Sequence, residues 1–356
     1  MNTKQSRFVK MICLTCCLIF VVGGAKLFSH KQNNKTRSGM YQTNAFAMGT
    51  SISVQLYGDV DLEACANACV DEIKRLDEEL LSGTVSEAEL FQVNQSLQSR
   101  QPVDVSKQLY YVLQEAHNIS VCTDGALDYT LRPISALWQI EDAMPDTFQV
   151  PGESAIQTCL EQVGYLKVDL QETDSKYTVT VSQDGMQLWL GAVGKGYALD
   201  AIKQVLDSYR VTGAVVHVGG SVLIYGTKED DSSWRVGIRN PKGAIDDLIG
   251  YLEYPAGTTI CVSTSGDYEK YIEKDGVRYH HIFNAKTGYP AESGLSSVTV
   301  VCKNGLYSDA LSTACFVLGY EKSLPLLEQF QAEAVFINHD NQVTVTDGLK
   351  DIYRKN

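Results

Sequence analysis

From Ala214 to Thr299 the chain runs strand after strand: Ala214–Val218, Val222–Tyr225, Trp234–Ile238, Ile260–Ser263, Tyr279–Phe283 and Ser297–Val301 are short, β-branched and apolar, with turn residues between them. Around them helical periodicity appears in single segments, at Leu62–Leu81, Lys107–Ser120, Tyr197–Tyr209, Asp309–Leu318 and Leu324–Phe330. Phe46–Tyr57 reads as a further strand, Leu188-Trp189-Leu190 as a short one, and Ala334–Ile337 with Val343–Val345 as a terminal hairpin. Strands in runs with helices inserted singly predict an α+β domain on antiparallel sheet.

Composition permits a large core: 356 residues, 44% hydrophobic and 21% charged. The formal charge of −13, with no basic tract after residue 40, excludes a sequence-independent nucleic-acid binder. The first residues differ from the rest. Lys4, Arg7 and Lys10 precede an uncharged apolar run, Met11–Ala25, and a polar stretch follows. This is the layout of a signal peptide or N-terminal membrane anchor over residues 1–25, a polar linker over 26–42 and a folded domain over 43–356. Fifteen helical residues reach about 22 Å, short of the roughly 30 Å hydrocarbon core, unless Phe8, Val9 and Lys26–Phe28 extend the span. Cleavage after Ala25 and retention as an anchor both fit, and lipidation at Cys16 or Cys17 is a minor alternative. Either way the domain is expected to be extracytoplasmic. Seven cysteines lie beyond this segment, an odd count without CxxC spacing, which argues against a disulfide framework and against a zinc site. Cys65 and Cys69, four apart on a helix, read as small core hydrophobes.

Three polar clusters end apolar runs: Ser263-Thr264-Ser265-Gly266-Asp267-Tyr268, His280 through Pro290, and Ser308-Asp309-Ala310-Leu311-Ser312-Thr313-Ala314. A core needs neither a histidine pair nor hydroxyl-rich strand ends, so the clusters predict the rim of a ligand site. Asp309 and Thr313, four apart where a helix is expected to begin, share one face and are hard oxygen ligands suited to Mg²⁺. Taken alone, the pair is better read as an N-terminal acid favoured by the helix dipole and a threonine bonded back along its helix. Gly191–Gly196 is a strand-to-helix turn that fits a phosphate approach or a plain tight turn equally well, and its spacing is not that of a P-loop. Of His280 and His281, one must face the opposite side of the strand, so at most one can serve as a general base. Met48-Gly49-Thr50 reads as a turn with a core methionine.

Taken in order, these segments resemble the ApbE family of FAD:protein FMN transferases. The matching pieces are Met48-Gly49-Thr50; Gly125 to Thr130 with Pro133 and Trp138; Gly191 to Tyr197 with Asp200; Gly219-Gly220; Thr264 to Tyr268; His281-Ile282 with Thr287-Gly288 and Pro290; and Asp309 with Leu311, Ser312 and Thr313. They cover nearly all of residues 45–320. The resemblance implies an extracytoplasmic enzyme that uses Mg²⁺ to move FMN from FAD onto a threonine hydroxyl of a target protein, releasing AMP. It places the metal on the Ala192 carbonyl, Asp309 and Thr313. It places FAD contacts on Met48, on Ala126, Leu127 and Asp128, on Lys195 and around His280 and His281, with His281 as the base. Implied partners are acceptor threonines of extracytoplasmic or membrane redox flavoprotein subunits.

The chain departs from the family pattern in four places. Trp189-Leu190-Gly191 stands where an Asp-Leu-Gly is usual, which leaves Trp189 to lie against the flavin or the adenine. Asn284-Ala285 replaces Asp-Pro, removing a carboxylate. Gly83-Thr84-Val85 lacks the aromatic expected to stack on the isoalloxazine, and Gly194 is often Ala elsewhere. These departures keep open hydrolysis of FAD to FMN and AMP, or FAD binding without turnover.

Overall fold

The computed structural model describes residues 39–356; the signal or anchor segment and any lipidation at Cys16 or Cys17 lie outside them. Its centre is one eight-stranded sheet in the order Gly39–Ala47, Thr50–Gly58, Gly213–Val218, Ser221–Gly226, Ile260–Gly266, Leu295–Cys302, Glu333–Asn338, Val343–Val345. Each neighbouring pair is antiparallel. The strand expected at Phe46–Tyr57 is two strands folded back at Met48-Gly49, whose φ angles of 53° and 67° make the turn. The first of them starts at Gly39, inside the stretch read as linker.

Both faces of the sheet are covered. On one face Val54, Val216, Leu223, Cys261, Val300 and Phe336 pack with the helices Leu62–Arg75, Gly194–Tyr209 and Gly305–Leu318. On the other, Val215, Val262, Val301 and Val335 meet Trp234, Val236 and Leu252 of a three-stranded sheet, Tyr353–Lys355, Leu248–Tyr254, Trp234–Arg239. The strand Leu295–Cys302 is therefore buried at every position, the pattern of a strand with no solvent face. Each fully buried leucine or phenylalanine here contributes about 1.5–3 kcal/mol. A smaller cluster around Trp138, Phe148, Ile156 and Phe283 carries the hairpin Tyr271–Lys274, Val277–His280. Among the described residues all seven cysteines are free, and no helix is long and apolar enough to cross a membrane.

Three expected boundaries differ. Leu188-Trp189-Leu190 is not a strand. Its ladder is replaced by one side chain: Asn94 Oδ1 accepts from Leu188 N at 2.7 Å and Asn94 Nδ2 donates to Leu188 O at 3.0 Å. The strand expected at Tyr279–Phe283 ends at His280, since Phe283 pairs only with Pro290 across the following turn. The helix expected from Asp309 starts one turn earlier, at Gly305. Asn304 Oδ1 accepts from Tyr307 N at 2.9 Å, and the Asp200 carboxylate, from a different helix, accepts Gly305 N at 2.7 Å and Leu306 N at 2.8 Å. Those caps satisfy the orphan amides. Asp309 thus sits in the second turn, not at the dipole end.

Candidate active site

Two periodicities bring the hydroxyl clusters together. Along the strand Ile260–Gly266, residues two apart share a face, so Ser263 and Ser265 follow Cys261 toward the helices. Along Gly305–Leu318, Ser308 and Ser312 lie four apart on the facing side. Ser263 Oγ meets Ser308 Oγ at 2.8 Å, and Ser265 Oγ meets Ser312 Oγ at 2.8 Å and Thr313 Oγ1 at 3.1 Å. The polar strand end is thus a hydroxyl zipper that fixes the helix rotation and with it the direction of Asp309.

Asp309 is 3% exposed and meets groups from two other elements, the helix Gly194–Tyr209 and the strand Ser221–Gly226. Its Oδ2 accepts from Gly196 N at 3.0 Å; its Oδ1 accepts from Ser221 Oγ at 3.2 Å and faces Lys195 Nζ at 3.3 Å. Lys195 Nζ also donates to Gly191 O at 3.0 Å. The approach depends on glycine: a Cβ on Gly196 would stand 2.1 Å from Gly305 O and 2.6 Å from Asp309 Cβ. With Gly196 N held by Asp309, Gly194 N by Leu190 O and Tyr197 N by Val193 O, these amides of the turn are committed within the protein. The phosphate cradle anticipated at Gly191–Gly196 therefore has to work through Lys195 rather than through those amides.

The donor set suits a hard divalent ion. A buried carboxylate that already attracts an ammonium, the Thr313 hydroxyl and the Ala192 carbonyl in the turn before the helix are all oxygen ligands of the kind Mg²⁺ prefers. Among the described residues no cluster of three His, Cys, Asp or Glu side chains could hold a metal, so a softer or nitrogen-rich site is not built here.

The histidine pair divides as strand geometry requires. His280 is 6% exposed and edge-on to Phe316; its Nε2 donates to Ala291 O at 3.1 Å and its Nδ1 accepts from Ile282 N at 3.3 Å. Both ring nitrogens are thus committed to backbone, and the FAD contact expected of His280 has no polar atom left to make it. Burial pushes its pKa down to about 4. His281 Nδ1 donates to Lys270 O at 3.2 Å. A carbonyl only accepts, so Nδ1 carries the proton and Nε2 keeps the lone pair of a base. Enclosure by the protein, then the charge of Lys270, pushes its pKa down to about 3, and Lys195 adds to the effect. His281, Lys195 and Asp309 therefore belong to one electrostatic neighbourhood.

At the other end, Met48 N donates to Asp77 Oδ2, a carboxylate carried by the π-helical turn Leu76–Leu81. The Met48 side chain is half-buried and packs against the main core cluster, with its methyl 4.0 Å from where a Cβ on Gly194 would stand. Trp189 stands under the Arg132 guanidinium, 4.6 Å from the ring centroid. Its six-membered ring is so close to Gly83 that a Cβ there would meet Cε3 and Cζ3 at 3.0 Å. Asp128 is buried and its oxygens are taken, by Thr130 N at 2.8 Å, Thr130 Oγ1 at 2.6 Å and Tyr165 N at 3.0 Å; burial raises its pKa. With Ala126 and Leu127 also buried, the expected FAD contacts of this segment fall to its main chain. Asn284 Oδ1 caps Lys286 N at 2.9 Å, and Trp138 Nε1 donates to Gly288 O at 2.8 Å, so Trp138 props the loop after His281.

Four residues that sequence reasoning did not single out shape this site. Asn94 clamps Leu188, and Ser221 and Asp77 orient Asp309 and Met48. Glu269, one position beyond the Ser263–Tyr268 cluster, is half-buried against Gly220; burial raises its pKa against the pull of Lys195, Arg239 and Lys270. Only Glu269 left a signal in the sequence, as an acid at the edge of a polar cluster.

Comparison with known proteins identifies the family. A family model described as the ApbE family matches residues 48–336. A Treponema pallidum protein named FAD:protein FMN transferase is 34% identical, with 99% of this chain and 97% of that protein covered. One of the same name from Klebsiella pneumoniae is 32% identical over 86% of this chain and 92% of its own. Among solved structures, the ApbE protein of Thermotoga maritima matches with a TM-score of 0.79 at 31% identity, covering 89% of this chain and all of its own. The apo flavinyl transferase ApbE of Pseudomonas stutzeri matches at 0.74 and 27%, covering 88% and 96%. With its ordered motifs, its sheet and its length all matched, the chain belongs to the ApbE family.

Proposed function

We propose that this chain is a FAD:protein FMN transferase that moves FMN from FAD to a threonine hydroxyl of an acceptor protein and releases AMP. The observation that carries the reading is the buried Asp309 carboxylate facing Lys195 Nζ beside the serine zipper, and the hydrogen bond of His281 Nδ1 to Lys270 O, which leaves Nε2 as a base, supports it. The names of the relatives support it. Asp309, Thr313 and the Ala192 carbonyl would hold Mg²⁺, which supplies positive charge to the pyrophosphate and to the departing phosphate of AMP. Lys195 binds the same pyrophosphate. His281 Nε2 takes the threonine proton as the threonine oxygen forms its bond to the FMN phosphorus, and the bond from that phosphorus to the AMP phosphate oxygen breaks. A pKa near 3 keeps His281 unprotonated but weakly basic; an anionic pyrophosphate beside it raises that basicity.

The N-terminal segment supports placement outside the cytoplasm, anchored or secreted, with acceptors among extracytoplasmic or membrane redox flavoproteins. Protein, FAD and Mg²⁺ incubated with an acceptor domain should give FMN mass on an acceptor threonine in step with AMP. Free FMN with AMP and an unmodified acceptor identifies a FAD pyrophosphatase, the reading favoured by the absence of an aromatic at Gly83-Thr84-Val85. Intact bound FAD identifies a carrier.

A further inference from the structure

Asp309 already has a cation. Lys195 Nζ lies 3.3 Å from Asp309 Oδ1 and 3.0 Å from Gly191 O, with its side chain 27% exposed and that of Asp309 5%. The carboxylate is held from two further sides by Gly196 N and Ser221 Oγ, so it cannot turn away. The lysine stem can. The ammonium touches Asp309 Oδ1 and Gly191 O, and Asp309 is also the carboxylate proposed above to hold the divalent ion. Two unit charges 4 Å apart repel by about 4 kcal/mol at an effective dielectric constant near 20, and a divalent ion doubles that. Lys195 and a divalent ion therefore do not share Asp309.

The ammonium has somewhere to go. Its side chain is 27% exposed, so the stem can swing from Asp309 to a pyrophosphate arriving from solvent, and its charge is felt at His281 and at Glu269. We propose that Lys195 is a tethered cation that couples the two ligands: it neutralises Asp309 until a pyrophosphate draws it off, and so each ligand clears the way for the other. The inference rests on the function proposed above and adds to it an order of events. Divalent ion alone must displace a lysine that has no other anion to go to, dinucleotide alone must strip Asp309 of its counterion, and the two together exchange partners and leave neither charge unpaired. By linkage, the factor by which Mg²⁺ tightens FAD equals the factor by which FAD tightens Mg²⁺.

The test is Mn²⁺ binding to the FAD-free full chain, read from the electron paramagnetic resonance of free Mn²⁺, together with FAD affinity measured by flavin fluorescence in EDTA and in Mg²⁺. Lys195→Gln should tighten Mn²⁺ by about tenfold or more, weaken FAD in EDTA, and shrink the Mg²⁺ effect on FAD affinity toward unity. Lys195→Met serves the same end should glutamine bond to Asp309. Lys270→Gln removes a nearby positive charge that does not touch Asp309, and should change Mn²⁺ affinity much less. If both Lys195 variants bind Mn²⁺ no tighter than wild type, or Lys270→Gln matches them, the coupling role is wrong. Asp309→Asn separates this from the wider reading. Mn²⁺ binding that survives Asp309→Asn, or that wild type lacks even with FAD, sinks the metal corner itself, whereas binding that needs Asp309 but ignores Lys195 overturns the coupling alone.

Discussion

At the Asp309 end of the site the functional side chains project from a helix and strands whose own ladders hold them, while at the Trp189 end the chain is irregular and is fixed by single side-chain bonds. Asp309 is aimed by the serine zipper between Ile260–Gly266 and Gly305–Leu318 and by the Gly196 contact with Gly305. Trp189 depends on Asn94 holding Leu188, on its own N–H donating to Tyr129 O at 2.6 Å, and on Gly83 leaving room for the ring. Under the function proposed above, the difference matches what each end would have to do. A small divalent ion needs oxygens placed to fractions of an ångström, and regular elements give that precision. A flat ring needs a surface, and a surface tolerates exchange of its parts. Of the four departures from the family pattern, those at Trp189 and at Gly83–Val85 fall at the irregular end, while Gly194 lies on the helix that carries Lys195 and Asn284-Ala285 in the loop after His281.

If that division is real, damage to the regular end should remove turnover. Gly196→Ala places a methyl 2.1 Å from a backbone carbonyl that cannot step aside without parting two helices. Expected are a loss of about 3 kcal/mol of stability in urea unfolding and of activity by about 100-fold or more, with divalent-ion affinity lost in parallel. A folded Gly196→Ala enzyme with near-normal turnover would break the comparison at its stronger side.

Asn94→Ala tests the irregular end. It removes two hydrogen bonds in a buried setting and leaves the Leu188 N–H and C=O without them, which costs about 2 kcal/mol. The Trp189 surface should loosen, so KM for FAD rises while kcat stays within about threefold, because the Asp309 corner does not feel the change. An equal fall in kcat would mean the two ends are one rigid unit.

The histidines sharpen the contrast through pH. His280 has a folded pKa depressed to about 4 by burial against about 6.5 in the unfolded chain. Between those values the unfolded state binds more protons, so its contribution is fully present above pH 6.5 and is lost as pH falls toward 4, at most about 3 kcal/mol. His280→Gln should flatten that acid loss in stability measured from pH 7 to 4. His281 would leave no limb in the activity of free enzyme between pH 5 and 8, because its pKa lies below that range; a limb near 6.5 removed by His281→Gln would refute the depressed value.

Legibility followed the same division. The strands at Ala214–Val218, Val222–Tyr225 and Trp234–Ile238 and the antiparallel sheet were readable because β-branched runs separated by short turns leave few alternatives. Asp309 and Thr313 were readable as a pair by their helical spacing, although the helix start was placed four residues late. The true start is capped by Asp200, more than a hundred residues away in sequence, and no local pattern announces that. Leu188-Trp189-Leu190 looked like a strand because it is apolar and short, but its partner is an asparagine side chain. The helices Glu89–Ser96 and Glu153–Glu161 were missed because each is short, about two turns long, and repeats its apolar face too few times to stand out. Cross-chain side-chain bonds, rather than periodicity, build the parts that sequence reading lost.

The smallest expected effect is the most discriminating about where precision is required. Gly194 is two residues from Gly196 on the same helix, yet a Cβ there would meet only Leu81 Cδ1 at 3.7 Å and Met48 Cε at 4.0 Å, ordinary contact distances. Its φ is not positive, so alanine adopts the same backbone without strain. Gly194→Ala should therefore stabilise the protein by about 0.4–1 kcal/mol through the lower entropy of the unfolded chain, with Mn²⁺ affinity unchanged. The neighbouring substitution Gly196→Ala does the opposite on both counts, although the two differ by a rotation of two residues on one helix. If Gly194→Ala instead weakens Mn²⁺, the demand for exact placement extends past the Asp309 contact to the Met48 surface, and the boundary between the two ends must be drawn further out.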